Sequence, residues 1–335
     1  MNPHSPTEAR IDQTWLTPQY RVDLRTTPPD VFVDETYLDF TKLSWKQIGR
    51  PYQVNNYSRD RRKWEESRHE RMPVLVQWQH FNRAFHELFS YDLPDRLQET
   101  SQRLKSDPFP AELREHLEDW LQVRIWNRVH RVEDAVWDPR GKRALFAGLD
   151  LVRPRILFLG AAEGYEAMQL LAMYPGGEAV LVDFDQFCRD ERFGNFPDEY
   201  PFLGTNVATG HPEIYHRSDF QIQFLVEDIA KLHFGREFDV VISVGLLEHF
   251  PDDLKPMVLQ WHRQFVKPNG YIIMTTPRLQ WRSKLFYLAM GTIMNYGYRE
   301  LMETRQLGLY AFENGMTPKR LGRIKAHNGF IGVAR

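Results

Sequence analysis

The sequence predicts an α/β fold built on a parallel sheet, and three of its features support this prediction. Short apolar runs in the second half of the chain have the composition of strands that are buried on both faces. A helical stretch separates the first two of these runs, as a crossover between parallel strands requires. The chain has 335 residues, of which 42% are hydrophobic, so it can bury one large core and a smaller second unit.

The best-defined unit is a strand–turn–helix–strand pattern between residues 154 and 185. An apolar run from Ile156 to Leu159 meets a glycine turn at Gly160. A helical stretch follows, and a second apolar run from Ala179 to Val182 stops at Asp183. The turn lets the backbone and a helix N-terminus approach a ligand, and an acid at this position can accept hydrogen bonds from ribose hydroxyls. The pattern therefore predicts a cofactor that contains a nucleoside.

The spacing within the turn indicates which cofactor. A dinucleotide fingerprint that begins at Gly160 would need glycines where the chain has Ala162 and Tyr165. With a small residue at every second position, the turn reads instead as Gly160, Ala162 and Gly164. In this form it resembles the motif I loop of class I S-adenosylmethionine (SAM)-dependent methyltransferases.

Four later segments resemble further motifs of the same family, in the family's order. They are the strand that ends at Glu227–Asp228, the strand Val240–Val244 with its following loop, the Lys-Pro-Asn-Gly-Tyr turn before a strand that ends at Pro277, and a closing hairpin over 314–335. The resemblance covers about residues 140–335. It implies a Rossmann-like, seven-stranded class I methyltransferase sheet with helices on both faces. Within the family, the chain is most similar to the branch that methylates quinone precursors and natural products.

The resemblance also implies a cofactor-binding set along the carboxyl ends of the strands. The glycine loop would lie under the methionine portion of SAM, the acid after the second strand would bind the ribose diol, and the acid after the third would contact the adenine amino group. The residues at the matching positions are Gly160, Ala162, Gly164, Asp183, Phe184, Asp228, Ile229, Ser243 and Val244. The alternative roles are helix–strand packing for the glycines and helix capping for the two aspartates.

The chain departs from the family at Phe158. The family usually has an acid there, which engages the amino group of SAM. Burial of an ammonium group without a hydrogen-bond acceptor is unfavourable by on the order of several kcal/mol. We therefore expect Glu163 or Glu166 to substitute from the loop, with backbone carbonyls and water as the alternative.

His249, on the loop after the fourth strand, is the best-placed candidate for a catalytic base. In the family this loop faces the methyl group, although its histidine is often a structural hydrogen-bond partner. Its neighbour Glu248 is expected to be a helix cap or a member of a polar network. No carboxylate cluster of the kind that metal-dependent methyltransferases use is visible in the sequence, so no metal is expected.

The type of acceptor is narrowed by exclusion. Amino-methyltransferases of DNA bases carry an Asp/Asn-Pro-Pro-aromatic motif where this chain has Ser243-Val244-Gly245-Leu246. Cytosine-C5 enzymes need a cysteine in a Pro-Cys context, which Cys188 lacks. The sequence thus predicts methyl transfer from SAM to a small-molecule acceptor, with an oxygen acceptor favoured and S-adenosylhomocysteine as the product. A non-catalytic scaffold of the same fold and a nicotinamide oxidoreductase stay open as alternatives.

The composition sets further expectations. The formal net charge of −2 gives no reason to expect a nucleic-acid partner. The single cysteine excludes an intramolecular disulfide, and neither a signal segment nor an apolar stretch of membrane-spanning length is visible. We expect a soluble, cytoplasmic protein.

The chain divides near residue 140. Residues 1–140 are predicted to form a mostly helical N-terminal extension that covers the cofactor mouth, contacts the substrate or supports a homodimer. Residues 141–335 are predicted to form the methyltransferase domain. Within the extension, residues 1 to about 55 show little periodicity, whereas residues 58–90 and 111–137 have helical patterns.

Residues 186–218 are predicted to form a long irregular loop at the edge of the sheet where ligands bind. One interpretation is a substrate lid. The other is a surface insertion whose Phe193, Phe196, Tyr200 and Phe202 pack down onto the domain.

The segment from Leu285 to Met294 is apolar on nearly every side and predicts a core or dimer-interface helix. The flanking residues Trp281, Arg282, Lys284 and Arg299 would also suit shallow attachment to an anionic membrane surface, which is the less favoured alternative.

Overall fold

The structure is a computed structural model that describes residues 31–72, 95–106, 119–121, 123, 142–198, 200–206, 208–289 and 298–335. The strands in these ranges are β1 (Phe32–Asp34), β2 (Tyr52–Gln53), β3 (Arg155–Leu159), β4 (Glu178–Asp183), β5 (Phe202–Thr205), β6 (Pro212–Tyr215), β7 (Gln221–Val226), β8 (Phe238–Val244), β9 (Val266–Pro277), β10 (Glu300–Leu301), β11 (Met316–Ile324) and β12 (His327–Ala334). The helices are α1 (Trp45–Ile48), α2 (Tyr57–Arg68), α3 (Asp95–Ser106), α4 (Arg143–Phe146), α5 (Tyr165–Met173), α6 (Lys255–Phe265), α7 (Trp281–Ala289) and α8 (Thr304–Glu313).

Eight strands form the main sheet, in the order β1-β11-β12-β9-β8-β3-β4-β7. The five neighbouring strands β9, β8, β3, β4 and β7 are parallel to one another. In the hairpin β11–β12, strand β12 pairs antiparallel with β9. The predicted fold class is confirmed. The sheet has one strand more than the predicted seven, because Phe32–Asp34 pairs with β11 at the edge.

The parallel strands form because their side chains are apolar on both faces. Ile156, Leu157, Phe158 and Leu159 of β3 are each at most 2% exposed. One layer of side chains packs against α6 and α8 and the other against α4 and α5. Continuous burial on both faces is the reason why these strands could be recognised from short apolar runs.

The described part of the N-terminal extension is integrated into the domain. Phe40 and Ile48 are buried in the same core cluster as the parallel strands, and β2 pairs with β10. The helix predicted over residues 58–90 is wrong in extent: α2 ends at Arg68, where His69 adopts a left-handed capping conformation with a φ of 56°. The part from residue 73 lies outside the described residues, as does most of the helix predicted over 111–137. The polar helix α3 was not predicted, since Leu97 and Leu104 are the only apolar residues among its 12.

The connection after β4 is more regular than predicted. It contains a π-helical turn, Cys188–Phe193, and the hairpin β5–β6. The hairpin loop is organised by Asn206, whose Oδ1 accepts hydrogen bonds from the N–H groups of Ala208 and Thr209 at 2.9 and 3.0 Å. Such Asx turns direct a chain reversal without the glycine pair that marks the shortest hairpins.

The aromatic residues of this connection pack down, as in the second interpretation. Phe196, Tyr200 and Phe202 are each 2% exposed and cluster with Tyr165 of α5. The ring centroids of Tyr165 and Phe202 are 5.4 Å apart. This cluster fixes the connection against the helix that follows the glycine loop.

None of the helices in the described ranges has the length and apolar character needed to cross a membrane.

Candidate cofactor and acceptor site

The candidate site lies at the carboxyl ends of β3 and β8. Strand β3 pairs with β4 on one side and with β8 on the other, so the strand order reverses at this point. In open α/β sheets the crevice at such a switch point is where ligands bind.

The loop between β3 and α5 has a strained conformation. Gly160 and Gly164 have φ values of 67° and 77°, and Ala162 between them has a φ of 49°. A left-handed conformation is unfavourable for alanine, and it persists where the surroundings impose it. Gly164 also has a packing role, since an added Cβ would come within 2.4 Å of Leu181 Cδ1. The loop thus needs glycine for its conformation at Gly160 and for both reasons at Gly164.

Asp183, at the end of β4, holds this loop. Its Oδ2 accepts a hydrogen bond from the Ala162 N–H at 2.9 Å, and its Oδ1 accepts one from the Asp185 N–H at 3.0 Å. Burial raises the pKa of the Asp183 carboxyl, and the two backbone hydrogen bonds and Arg192 oppose that shift. The predicted ribose acid is therefore at the crevice and fixed in orientation. Helix capping, the alternative, is not its observed role.

Asp228 follows β7, and Phe184 follows β4. These strands are neighbours, with Asp183 paired in register with Val226, so the two residues lie at the same edge of the sheet. Asp228 Oδ1 accepts a hydrogen bond from the Ala230 N–H at 2.9 Å and caps the short 3₁₀ turn that begins at Ile229. The capping role is thus present. A carboxylate has a second oxygen, which the cap does not use, so capping is compatible with an adenine contact. That contact stays a prediction.

Ser243 and Val244 end β8 beside the crevice. The Ser243 hydroxyl donates to His262 Nε2 at 2.8 Å, and His262 Nδ1–H donates to the Val258 carbonyl at 2.8 Å. Burial lowers the pKa of His262 to about 4, so the ring is neutral and Nε2 is an acceptor. Because the Ser243 side chain is directed to α6, its hydroxyl is already engaged, and its backbone contact with SAM stays a prediction.

Phe158 is buried in the core, and the two glutamates expected to replace the family's acid have other partners. Glu163 forms a buried ion pair with Arg192 of the π-helical turn. Glu166 forms a buried ion pair with Lys142, whose N–H also donates to Gln169 Oε1 at 2.7 Å. Neither pair was predicted, because both join segments that are far apart in sequence.

His249 lies on the 3₁₀ turn Leu247–His249, directly after β8. Its Nδ1 is 3.1 Å from the carbonyl oxygen of Tyr298. A carbonyl only accepts, so Nδ1 carries the proton and Nε2 carries the lone pair. Burial, together with Arg299, lowers the pKa of His249 well below its usual value. The side chain is a neutral imidazole of defined tautomer, which is the form that a proton acceptor needs.

Glu248 has more unusual surroundings than the sequence indicated. It is 2% exposed, and its Oε2 has no hydrogen-bond partner among the described residues. Burial raises the pKa of Glu248 to about 8; its own backbone N–H and Arg299 act in the opposite direction. No local sequence pattern indicates this environment beyond the adjacency of Glu248 to His249.

A cavity of about 410 Å³ lies between α7 and β2. It is lined by Tyr52, Val54, Trp281, Lys284, Leu285 and Leu288. Trp281, Leu285 and Leu288 are 69%, 56% and 77% exposed, so α7 is not a core helix, and the dimer-interface alternative stays a prediction. Only its opposite side, with Ser283 and Tyr287, is buried. The C-terminal part of the predicted helix, from residue 290, lies outside the described residues.

Residues 128–318 match the family model described as a methyltransferase domain, which is more than half of the chain. The chain belongs to this methyltransferase family. Together with the sheet order and the glycine loop, the match makes the protein a SAM-dependent methyltransferase. No curated protein matches the sequence.

Several solved structures resemble the chain in fold at low sequence identity. The human N-acetylserotonin methyltransferase in complex with SAM is 16% identical over 78% of this chain and 69% of that chain, with a TM-score of 0.45. A possible exported protein from Bordetella parapertussis is 17% identical over 79% and 97%, with a TM-score of 0.46. The 1,6-didemethyltoxoflavin-N1-methyltransferase of Burkholderia thailandensis is 14% identical over 68% and 92%, with a TM-score of 0.40.

The residues at the carboxyl ends of the parallel strands have the conformation and charge needed to bind SAM, the cofactor of this methyltransferase. The positive-φ loop lets backbone approach a ligand, and Asp183 is an oriented, partly buried carboxylate at its rim. Glu248 adds a buried carboxyl oxygen without a partner in the described chain. Groups of three or more His, Cys, Asp or Glu side chains that could hold a metal ion are not found among the described residues.

Proposed function

We propose that this methyltransferase transfers a methyl group from SAM to a hydroxyl oxygen of a small, largely apolar acceptor. The observation that carries the proposal is the neutral His249, whose Nδ1–H is bound by the Tyr298 carbonyl at 3.1 Å. This bond leaves Nε2 as the basic nitrogen of a side chain on the loop after β8, at the crevice where the sheet order reverses.

When bound, SAM supplies an electrophilic methyl group, and the protein positions the acceptor and removes its proton. His249 Nε2 would take the hydroxyl proton as the oxygen bonds to the methyl group and the bond from methyl to sulfur breaks, which leaves S-adenosylhomocysteine; the proton would then pass to solvent. Positioning contributes a large part of the rate in such displacements. A general base adds roughly 100-fold or more.

The acceptor's apolar part lies in the cavity between α7 and β2. Its lining offers two aromatic rings and two leucines, with Lys284 Nζ 4.3 Å from the centre of the Tyr52 ring. The β2 wall of this cavity pairs with β10, and Tyr298, which holds His249, lies two residues before that strand. In this proposal Tyr52 and Val54 give the N-terminal extension, residues 1–140, its part in acceptor binding.

The experiment is a product assay with SAM and a panel of catechols, phenols and quinols, analysed by mass spectrometry. The proposal expects O-methylated product and an equal amount of S-adenosylhomocysteine for at least one hydroxylated aromatic compound. Methylation confined to amines or to carbon in the matched analogues would overturn the oxygen assignment.

A further inference from the structure

The amino group of SAM is a cation, and the family's usual acid for it is missing at Phe158. Three buried glutamates belong to segments that follow β3 and β8: Glu163 in the glycine loop, Glu166 in the first turn of α5 and Glu248 in the loop after β8. The first two form ion pairs with Arg192 and Lys142. Glu248 is thus the carboxyl group of this set that has an oxygen without a partner in the described chain.

The geometry of the loop after β8 brings Glu248 to the crevice. Its Oε1 lies 3.2 Å from the position that a Cβ would have on Gly245, so the side chain folds back over the start of the loop. The neighbouring Leu246 contacts the glycine loop, with its Cδ1 3.1 Å from the position of a Cβ on Gly160. The two loops that flank a methionine tail in this family are therefore in contact through Leu246, and Glu248 lies on the second of them, against Gly245.

The lack of a partner for Oε2 needs a physical explanation. Buried polar atoms in proteins are nearly always hydrogen-bonded, and leaving one unpaired is unfavourable. Glu248 is 2% exposed, so bulk water does not satisfy it. A ligand with a hydrogen-bond donor would.

We propose that Glu248 accepts a hydrogen bond from the amino group of SAM and so replaces the acid that is missing at Phe158. The residue is a positioning and binding group for the cofactor. This assignment rests on SAM binding and is independent of which atom is methylated, so it stands or falls separately from the proposed oxygen acceptor.

The charged and titratable groups around Glu248 determine its resting state. Arg299 directly precedes β10, Glu300 is the first residue of β10, Lys255 comes from α6, and Tyr287 comes from α7. Lys255 is paired with Glu300 at 2.8 Å and with Asp252 at 3.1 Å, which reduces its effect on Glu248. Burial outweighs the attraction of the two cations and raises the pKa of Glu248 to about 8, so that the group is a neutral acid below that pH.

This resting state couples cofactor binding to a proton. An ammonium group beside Glu248 favours the carboxylate and lowers its pKa. At about pH 6.5, both the free amino group and Glu248 are mostly protonated. Binding then ionises Glu248, and its proton is released to the buffer.

The test is titration calorimetry of S-adenosylhomocysteine at about pH 6.5 in two buffers that differ in ionisation enthalpy. We expect the wild-type protein to release close to one proton for each molecule bound. Glu248→Gln should abolish the release and weaken binding about tenfold or more, as loss of a charge-assisted hydrogen bond does. Glutamine resembles the resting neutral acid in shape and charge, so the variant should fold normally.

The matched probe is 5′-methylthioadenosine, which lacks the amino-acid portion. It should bind the wild-type protein and Glu248→Gln with equal affinity and without proton release. Unchanged affinity for S-adenosylhomocysteine in Glu248→Gln would overturn the proposal. An equal loss of affinity for both ligands in Glu248→Gln would also overturn it, because that result describes a purely structural residue.

Discussion

Arg192 and Glu163 form a buried ion pair that ties the connection after β4 to the loop beneath the cofactor site. The two side chains are 4% and 6% exposed, so water does not compensate either charge once the other is removed. Arg192 also acts on Asp183, where it opposes the rise in pKa caused by burial. Arg192 thus forms an ion pair with a residue of the glycine loop and also lowers the pKa of Asp183, the predicted ribose-binding acid.

Removal of either partner of this pair should destabilise the protein. Arg192→Met and Glu163→Gln are each expected to lower the free energy of unfolding by roughly 3–5 kcal/mol, because each leaves an uncompensated buried charge or dipole. Chemical denaturation measures this. The double variant should lose less free energy of unfolding than the two single variants lose together. Strict additivity of the two losses would show that the two groups do not interact.

Asp183→Ala should weaken SAM binding by on the order of 1–3 kcal/mol, since ribose hydroxyls lose a charged acceptor. The same change removes the hydrogen bond that holds Ala162 in its left-handed conformation. Calorimetry with S-adenosylhomocysteine gives the affinity. A normally folded Asp183→Ala protein that binds as tightly as the parent would refute the assignment.

His249→Ala should reduce turnover of a hydroxylated acceptor by about 100-fold or more and leave SAM affinity nearly unchanged. Because burial holds the pKa of His249 well below its usual value, the imidazole stays neutral as the pH falls through the range near 6.5. No loss of kcat/KM from protonation of His249 is therefore expected there. Unchanged turnover in the variant would assign His249 a structural role.

The exposed side of α7 provides a test of the acceptor cavity. Leu285→Ser with Leu288→Ser should raise KM for a hydroxylated aromatic acceptor several-fold, with little effect on folding, because both side chains are more than half exposed. Met257→Ser, on the exposed surface of α6, is the matched control. Its KM should equal that of the parent.

The same variant separates the acceptor cavity from the less favoured membrane interpretation. The cavity interpretation expects no salt-sensitive co-sedimentation of the parent with vesicles that contain an anionic phospholipid. Co-sedimentation that the double serine variant loses would assign this face of α7 to a membrane surface.

The sequence was sufficient where a structural role has a local pattern. The parallel strands were recognised because burial on both faces makes each an apolar run, and Asp183 was located by its place after β4. Strand β1 was missed because three residues at a sheet edge leave no periodic signal. The hairpin β5–β6 was missed because an Asx turn at Asn206, rather than a glycine pair, reverses the chain.

The site was less predictable than the fold, because its electrostatics depend on contacts between distant segments. Glu163 and Glu166 have the charge and the sequence position expected of cofactor ligands. In the structure, Glu163 instead pairs with Arg192 of the π-helical turn, and Glu166 pairs with Lys142, the N-cap residue of α4. The raised pKa of Glu248 arises mainly from burial and also from Glu300, and its neighbours in sequence reveal neither. Arg299, predicted as a flanking cation of an apolar helix, is instead 3% exposed beside Glu248.

The central claim is that this methyltransferase binds SAM at the crevice between β3 and β8. Titration calorimetry with S-adenosylhomocysteine, compared with NAD at the same concentration, tests it most directly. The structure predicts saturable binding of one molecule of S-adenosylhomocysteine per chain, weakened in Asp183→Ala, and no binding of NAD. Binding of NAD, or S-adenosylhomocysteine binding that Asp183→Ala leaves unchanged, would contradict the claim.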